Sequence, residues 1–418
     1  MSCDCTVISG PCLVGWRGGW FRSKGDVTIA KETTLTPVTV DSAGITDQRV
    51  NTVRHTISFT PSGTLTDISS LLADYVAPLT AERQPGQSLF KWASTAITAY
   101  ATADAGAATT ITIASTAGMV VGQYVTISGS STAGYNGSWR ITAVTSSTQL
   151  KLEVAYTTDP TTDGTLSYSD TLVIHPLFQS GGTEKIITFQ NVALTGLPTL
   201  TFSATETIMG AVTFTAIYHR KLEADAVDAI VDYRTWSAPG STQLDDFDPD
   251  TIYTVPPRMR YGAASVNAWT SSDPVAAPWK DFCTANGATV ALNLATADHV
   301  VDSCGLVDIK YTDLAVTVTA QPVGELATDE EVQKLLLQQN MGTAGRKRGQ
   351  SMKASTPMEL QLRMDGESTM YLTIASSAVS AAANNYGTTT MRNGDLVWQG
   401  LRTFSSGVRQ NMVTMTVP

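Results

Sequence analysis

The chain has 418 residues, 42% of them hydrophobic and only 15% charged, with a formal net charge of −10 and a pI near 4.9. Its length allows two or three domains, each with enough apolar surface for its own core, while the acid excess excludes a chain that grips nucleic acid along its whole surface, because that affinity rests on basic side chains against phosphates. No apolar run reaches the roughly 18 residues of a membrane-spanning helix, and the wealth of Thr, Ser, Val, Ala and Gly predicts an all-β protein of many short strands.

The first residues, Met1 to Cys5, lack a basic segment followed by an apolar one, so no secretory signal is expected. The cysteines Cys3, Cys5, Cys12, Cys283 and Cys304 are sparse and odd in number, which predicts reduced thiols in a cytoplasmic setting. Strands are predicted at 12–16, 25–30, 38–40 and 53–59. In the last, Val53, His55, Ile57 and Phe59 share one face by period-two alternation and Arg54 lies on the other.

Residues 40–63 are written twice. They align without a gap on residues 301–324 (301 − 40 = 261), with identities at Val40/Val301, Asp41/Asp302, Ser42/Ser303, Gly44/Gly305, Asp47/Asp308, Thr56/Thr317, Pro61/Pro322 and Gly63/Gly324. After the first copy, Thr66 and Asp67 precede Ile68, Leu71 and Leu72; after the second, Thr328 and Asp329 precede Val332, Leu335 and Leu336. The i, i+3, i+4 spacing predicts one short helix per copy packed through that apolar stripe, and Thr328 with Glu331 has the form of a capping box. Gly86-Gln87-Ser88-Leu89 is echoed by Gly349-Gln350-Ser351-Met352 (349 − 86 = 263), whereas Ile187-Thr188-Phe189 matches Leu372-Thr373-Ile374 (372 − 187 = 185). The first copy therefore holds 263 − 185 = 78 extra residues between these points, the size of a small inserted domain.

That insertion, residues 94–170, reads as five alternating strands at 109–113, 124–128, 138–144, 149–154 and 165–168, enough for a small β-barrel or sandwich. Trp139, Ile141 and Ala143 share one face of one strand, and Leu150, Leu152 and Val154 one face of the next; Asn136-Gly137 suits a tight turn with positive φ. After it, strands at 172–177, 186–189, 199–204 and 210–218 complete the first β domain (1–93 with 171–235), a helix is predicted at 222–233, and an acidic linker covers 236–252. The second β domain, 253–418, uses strands near 289–294, 314–320, 358–364, 370–374, 388–392, 396–400 and 412–417. The predicted fold class is thus mainly β: two duplicated sandwich or barrel domains, each with one short helix, plus a small inserted β-barrel.

No set of residues carries a catalytic, cofactor or metal site. Asp246, Asp248 and Asp250 have the spacing that opens a Ca²⁺ loop, but Thr251 replaces the required Gly and Pro257 the bidentate Glu, which leaves a solvated linker. Cys3, Cys5 and Cys12 lack a fourth ligand. The loop 342–349 holds Arg346, Lys347 and Arg348 between glycines without the order of a phosphate-binding loop, and reads as an arm reaching an acidic neighbour. None of His55, His175, His219 and His299 stands in a catalytic frame; His55 lies on an apolar strand face whose counterpart in the second copy is Val316, so a satisfied core or interface histidine is expected.

The insertion's Gly118-x-x-x-Gly122-x-x-Val125-x-Ile127-Ser128-Gly129, followed by Tyr135-Asn136-Gly137-x-Trp139, resembles small β modules that decorate bacteriophage virion proteins. The run from Gly10 to Trp16, the run from Phe21 through Lys24-Gly25-Asp26-Val27-Thr28-Ile29, and the strand-then-helix order ending in Ile68, Leu71 and Leu72 resemble the major tail tube protein of long-tailed phages. That resemblance implies a structural virion protein, not an enzyme and without cofactor, assembled in the host cytoplasm into the virion tail. Family members with one tube domain form hexameric rings, so a fused pair implies a homotrimeric ring with pseudo-sixfold symmetry, stacked into a conduit for DNA ejection. Partners would be other copies of the chain and the tape measure, terminator and distal tail proteins, with DNA passing unbound. Arg346, Lys347 and Arg348 are the candidate ring-to-ring contact, and charge reversal there should disturb tube assembly. The rival reading is an adhesin or carbohydrate-binding array, which favours modules in series over one nested inside another.

Overall fold

The computed structural model describes residues 8–17, 19–40, 44–62, 65–76, 83–179, 185–202, 209–217, 231–235, 254–261, 280–301, 305–323, 356–364, 369–384, 393–402, 404–405 and 408–416. The chain starts with β1 (Ile8–Trp16), β2 (Gly19–Ser23), β3 (Thr28–Val40), β4 (Gly44–Phe59) and β5 (Pro61–Ser62), then the short helices α1 (Leu65–Leu71) and α2 (Ala73–Val76). The inserted unit follows as β6 (Trp92–Ala103), β7 (Ala108–Ile113), β8 (Tyr124–Ser128), β9 (Gly137–Val144), β10 (Gln149–Leu152) and β11 (Thr165–Ser169). The chain returns through β12 (Leu172–Gln179), β13 (Lys185–Phe189), β14 (Val192–Gly196), β15 (Thr199–Phe202), β16 (Val212–Ile217) and β17 (Val231–Thr235). The rest comprises β18 (Thr254–Tyr261), β19 (Lys280–Val301), β20 (Gly305–Val323), β21 (Thr356–Met364), β22 (Thr369–Asn384), β23 (Asn393–Gly400), β24 (Phe404–Ser405), β25 (Val408–Arg409) and β26 (Val413–Thr416). The protein is mainly β, and no helix among the described residues is long and apolar enough to cross a membrane.

The repeat in the sequence is a repeat of strand pairing. In the β3–β4 hairpin Val40 faces Gly44, Thr39 faces Ile45 and Val38 faces Asp47; in β19–β20 the corresponding Val301 faces Gly305, Val300 faces Leu306 and His299 faces Asp308. Both hairpins carry a second irregularity at the same place, between Thr34 and Leu35 and between Ala295 and Thr296. A bulge inserts one unpaired residue and bends the strand, so two bulges at matching positions give the outer parts of both hairpins the same pattern of interrupted pairing; β19–β20 has a third irregularity, between Thr284 and Ala288. The correspondence extends further: Val14↔Phe21 matches Met259↔Phe282, Ile174↔Ile187 matches Leu360↔Leu372, Phe214↔Ile57 matches Trp398↔Val318, and Phe189↔Val231 matches Ile374↔Val413.

In the second copy the pairings run β19-β18-β21-β22-β23-β20 and return to β19. In the first copy the equivalent circuit divides into two sheets, β17-β13-β12-β1-β2-β5 and β14-β16-β4-β3. One break falls at Asn191, whose φ of 49° turns β13 away from β14 and whose Nδ2 donates to the Ile217 carbonyl at 3.1 Å. Asn tolerates this left-handed conformation better than other side chains. The two copies bury one continuous apolar core, with Trp16, Phe59, Phe189 and Phe214 from the first and Val290, Tyr311, Leu372 and Trp398 from the second.

Several local expectations change. The stretch 31–37, polar and containing Pro37, is strand rather than loop, so the predicted strands 25–30 and 38–40 are parts of β3, and β4 starts at Gly44 instead of residue 53. Pro37 is tolerated because β3 is an edge strand, where one face of the backbone needs no partner. The predicted helix 222–233 fails at its end, because Val231–Thr235 pairs with β13 as β17; the remainder lies outside the described residues. The helix read after the first copy is two short helices, with Ile68, Leu71 and Leu72 all buried as the spacing predicts.

The inserted unit closes as a barrel of six strands, β10-β7-β6-β11-β8-β9, one more than the five read from sequence. The missed strand, β6, shows only scattered burial, so it carries no alternating signature. Ile111, Val125, Ile127, Ile141, Leu150, Leu152 and Leu166 fill a core separate from the main one. Trp92 on β6 pairs with Ser169 on β11, so the chain enters and leaves the barrel at adjacent points. At Asn136-Gly137 only Gly137 takes positive φ; Asn136 clamps the loop, its Oδ1 accepting from Ser130 N–H and its Nδ2 donating to the Ser130 carbonyl.

Candidate self-assembly surface

The first copy meets the second by adding strands to it. β15 leaves its own sheet and pairs antiparallel with β19, Thr199↔Ala291, Leu200↔Val290, Thr201↔Thr289 and Phe202↔Ala288, and Leu200, Phe202 and Val290 are all buried. A second segment lies along β20: Gly86 N–H donates to the Tyr311 carbonyl at 2.8 Å, Tyr311 N–H to the Gln87 carbonyl at 2.8 Å, and Leu89 N–H to the Ile309 carbonyl at 2.9 Å. The Ser88 hydroxyl donates to Asp308 Oδ1 at 2.6 Å. Arg54 on β4 and Asp298 on β19 form an ion pair at 2.5 Å. Strand addition of this kind takes its affinity from main-chain hydrogen bonds and its specificity from alternate side chains.

Among the described residues, the first copy presents the same surfaces uncovered. β3 ends its sheet, pairing with β4 alone among the described strands, and Ile29, Leu35 and Ile45 expose large apolar side chains along that hairpin. An exposed edge bearing apolar residues is a template for another chain.

A charged knot fixes the barrel, the helices and β1 together. Arg17, just past β1, places Nη2 2.7 Å from Asp74 Oδ2 and 2.5 Å from Asp170 Oδ2, while Arg83 and Lys91 also pair with Asp74. Burial by itself would raise the Asp74 carboxyl, but the hydrogen bonds and charges of Arg17 and Lys91 outweigh it and hold the group well below the usual carboxylate range. Burial works against the Arg17 cation, and its two carboxylates more than restore it. Beside the knot, the fully buried Gln190 bolts the barrel to the first copy: its Oε1 accepts from Tyr124 N–H and the Thr171 hydroxyl, and its Nε2 donates to the Gly122 carbonyl. Val120 of the barrel packs with Val173 and Ile186 under the partly buried Trp20. Buried side chains as well as the two chain connections therefore tie the barrel to the first copy.

His55 is buried on the strand face predicted, against Phe189 at 5.7 Å, but its Nδ1 has no hydrogen-bond partner, which departs from the satisfied histidine expected. Burial, then the charge of Lys31, lowers its pKa. A histidine kept neutral in the fold gains its proton more readily when unfolded, so its share of the stability is complete above the ordinary value of about 6.5 and declines as pH falls below it. His55→Val, the residue type of the second copy, should remove that share of the acid slope between pH 7 and 5 while leaving the neutral-pH melting point unchanged or higher; denaturant titrations across that range check it, and an unaltered slope refutes it.

The Cys12 thiol is buried, and its pKa is raised by that burial and then by Asp26. Among the described residues no group of three His, Cys, Asp or Glu is placed to hold a metal ion. Arg346, Lys347 and Arg348, the second apolar stripe Val332, Leu335 and Leu336, and Asp246, Asp248 and Asp250 all lie outside the described residues. The role of β15 was missed because 199–204 reads as an ordinary strand of the first copy. The segment at Gly86 did leave a signal, its echo at Gly349. By fold and surface this is an internally repeated β protein with an uncovered sheet edge and a nested barrel. No protein-family model and no curated protein matches the chain.

Proposed function

We propose that this chain is the building block of a phage tail tube, in which three copies close a ring of pseudo-sixfold symmetry and stacked rings form the conduit for DNA ejection. The supporting observation is the joint itself: two equivalent β units in one polypeptide, fused edge to edge by added strands, with the corresponding edge of the first unit left open among the described strands. A head-to-tail contact of this type repeats from molecule to molecule and ends either in a ring or in a filament. The net charge of −10 suits a wall that DNA must slide past, since duplex DNA carries about one negative charge per 1.7 Å and a basic lumen would hold it. On this reading the protein is structural, not an enzyme, and its partners are its own copies and the tape measure, terminator and distal tail proteins. Negative-stain images of the purified chain should contain annuli with threefold symmetry or hollow rods built from them. Dispersed monomers at high concentration would sink the proposal and favour an adhesin.

A further inference from the structure

The joint inside the chain is a template for the joint between chains. In β19, residues Thr289, Val290 and Ala291 receive β15; by the repeat their counterparts in β3 are Thr28, Ile29 and Ala30. Val290 is 0% exposed under β15, and Ile29, with no strand over it among the described residues, is 38% exposed. In β20, Asp308, Ile309 and Tyr311 receive the segment at Gly86; their counterparts at the β4 tip are Asp47, Gln48 and Val50, of which Asp47 and Gln48 are exposed.

The donors are repeated too. The bridge between Leu200 of β15 and Met209 recurs as the pair Asn384↔Asn393, which makes the end of β22, at Ala383 and Asn384, the counterpart of β15. The other donor, Gly86-Gln87-Ser88-Leu89, recurs in the sequence as Gly349-Gln350-Ser351-Met352, outside the described residues. Both donors of the first copy are used on the second copy of the same molecule, so the described end of β22 finds its equivalent acceptor, the edge of β3, on another molecule.

We propose that the open edge of β3, together with the β4 tip at Asp47 and Gln48, receives the second copy of a neighbouring molecule of this chain, the end of its β22 lying along Thr28 to Ala30. This names the seam of the ring proposed above and rests on that reading for its closure, but its register comes from the pairing alone. Asn384 faces Ile29 as Leu200 faces Val290. The seam is looser than the internal joint: Arg54 and Asp298 have Ala315 and Pro37 as counterparts, so their ion pair is not repeated. Assembly should accordingly depend on protein concentration.

The test is mild oxidation of the full chain carrying Ile29→Cys and Asn384→Cys together, with each single substitution as the control for the native cysteines. The double variant should give covalent oligomers ending at a closed species, absent from both controls. Asp47→Lys, at an exposed tip where folding is not at stake, should weaken assembly at least tenfold in sedimentation with an unchanged melting point. Assembly that persists with neither cross-link nor effect at Asp47 overturns this seam and leaves the ring reading standing. A chain that stays monomeric at high concentration overturns both.

Discussion

Trp398→Ala should lower the stability of the two repeated units together by about 4 kcal/mol, the usual cost of emptying a tryptophan site in a close-packed core. Trp398 is 0% exposed, opposite Val318 on β20 and Val379 on β22. Its counterpart Phe214 stacks on Phe59 and meets Trp16 edge-on at 4.9 Å, and all of these side chains belong to one continuous core. The cavity would open in a core to which both copies contribute. The barrel buries a different set of side chains, so its strands should keep their protection from hydrogen exchange while β16, β20, β22 and β23 lose theirs. Equal loss of protection in Ile111, Ile141 and Leu150 would mean that barrel and repeats unfold as one unit.

The second large effect is expected at Asp74. Asp74→Ala removes the carboxylate shared by Arg17, Arg83 and Lys91, leaving Arg17 with Asp170 alone in a site where the Asp74 side chain is only 15% exposed. Taking one member out of such a buried ionic group costs about 3 kcal/mol, mainly because the charges left behind have lost their partner. The same residue sets an acid limit. Its folded pKa lies below its unfolded one, so its contribution is complete above about pH 4 and is lost as pH falls below that through the folded value. The variant should therefore be less stable at pH 7 and should lose less on going to pH 3, which urea titrations at the two pH values check. An acid slope equal to the wild type's would remove Asp74 from that role. Because Arg17 also holds Asp170 at the exit of the barrel, the variant should loosen the mount as well, seen as faster exchange at Tyr124, whose N–H donates to Gln190.

The repeat was legible in the sequence wherever an apolar face or a small residue is needed at a fixed position. Val53, Ile57 and Phe59 alternate because one face of β4 meets the core, and Gly44/Gly305 recur at the same turn of both hairpins. The stripe Ile68, Leu71 and Leu72 was equally plain, since three apolar residues on one side of a short helix have a single place to go. Even the size of the insertion followed, because a change in offset between matching stretches counts residues directly.

Other features are not local and left no pattern to read. Residues 31–37 are polar because the β3–β4 hairpin extends beyond the core; they are strand through cross-strand hydrogen bonds with 48–55, which side-chain type does not announce. Arg17 and Asp170 are 153 residues apart and meet only once the barrel has returned the chain to its point of departure. Sequence alone determined that this protein is mainly β, built twice over, with a small unit nested in the first copy, since alternation and spacing are properties of neighbouring residues. Which strand crosses from one copy to the other, and which described edge is left without one, was decided by tertiary structure alone: backbone donors and acceptors are the same at every residue but proline, and only their arrangement in space tells a filled edge from an open one.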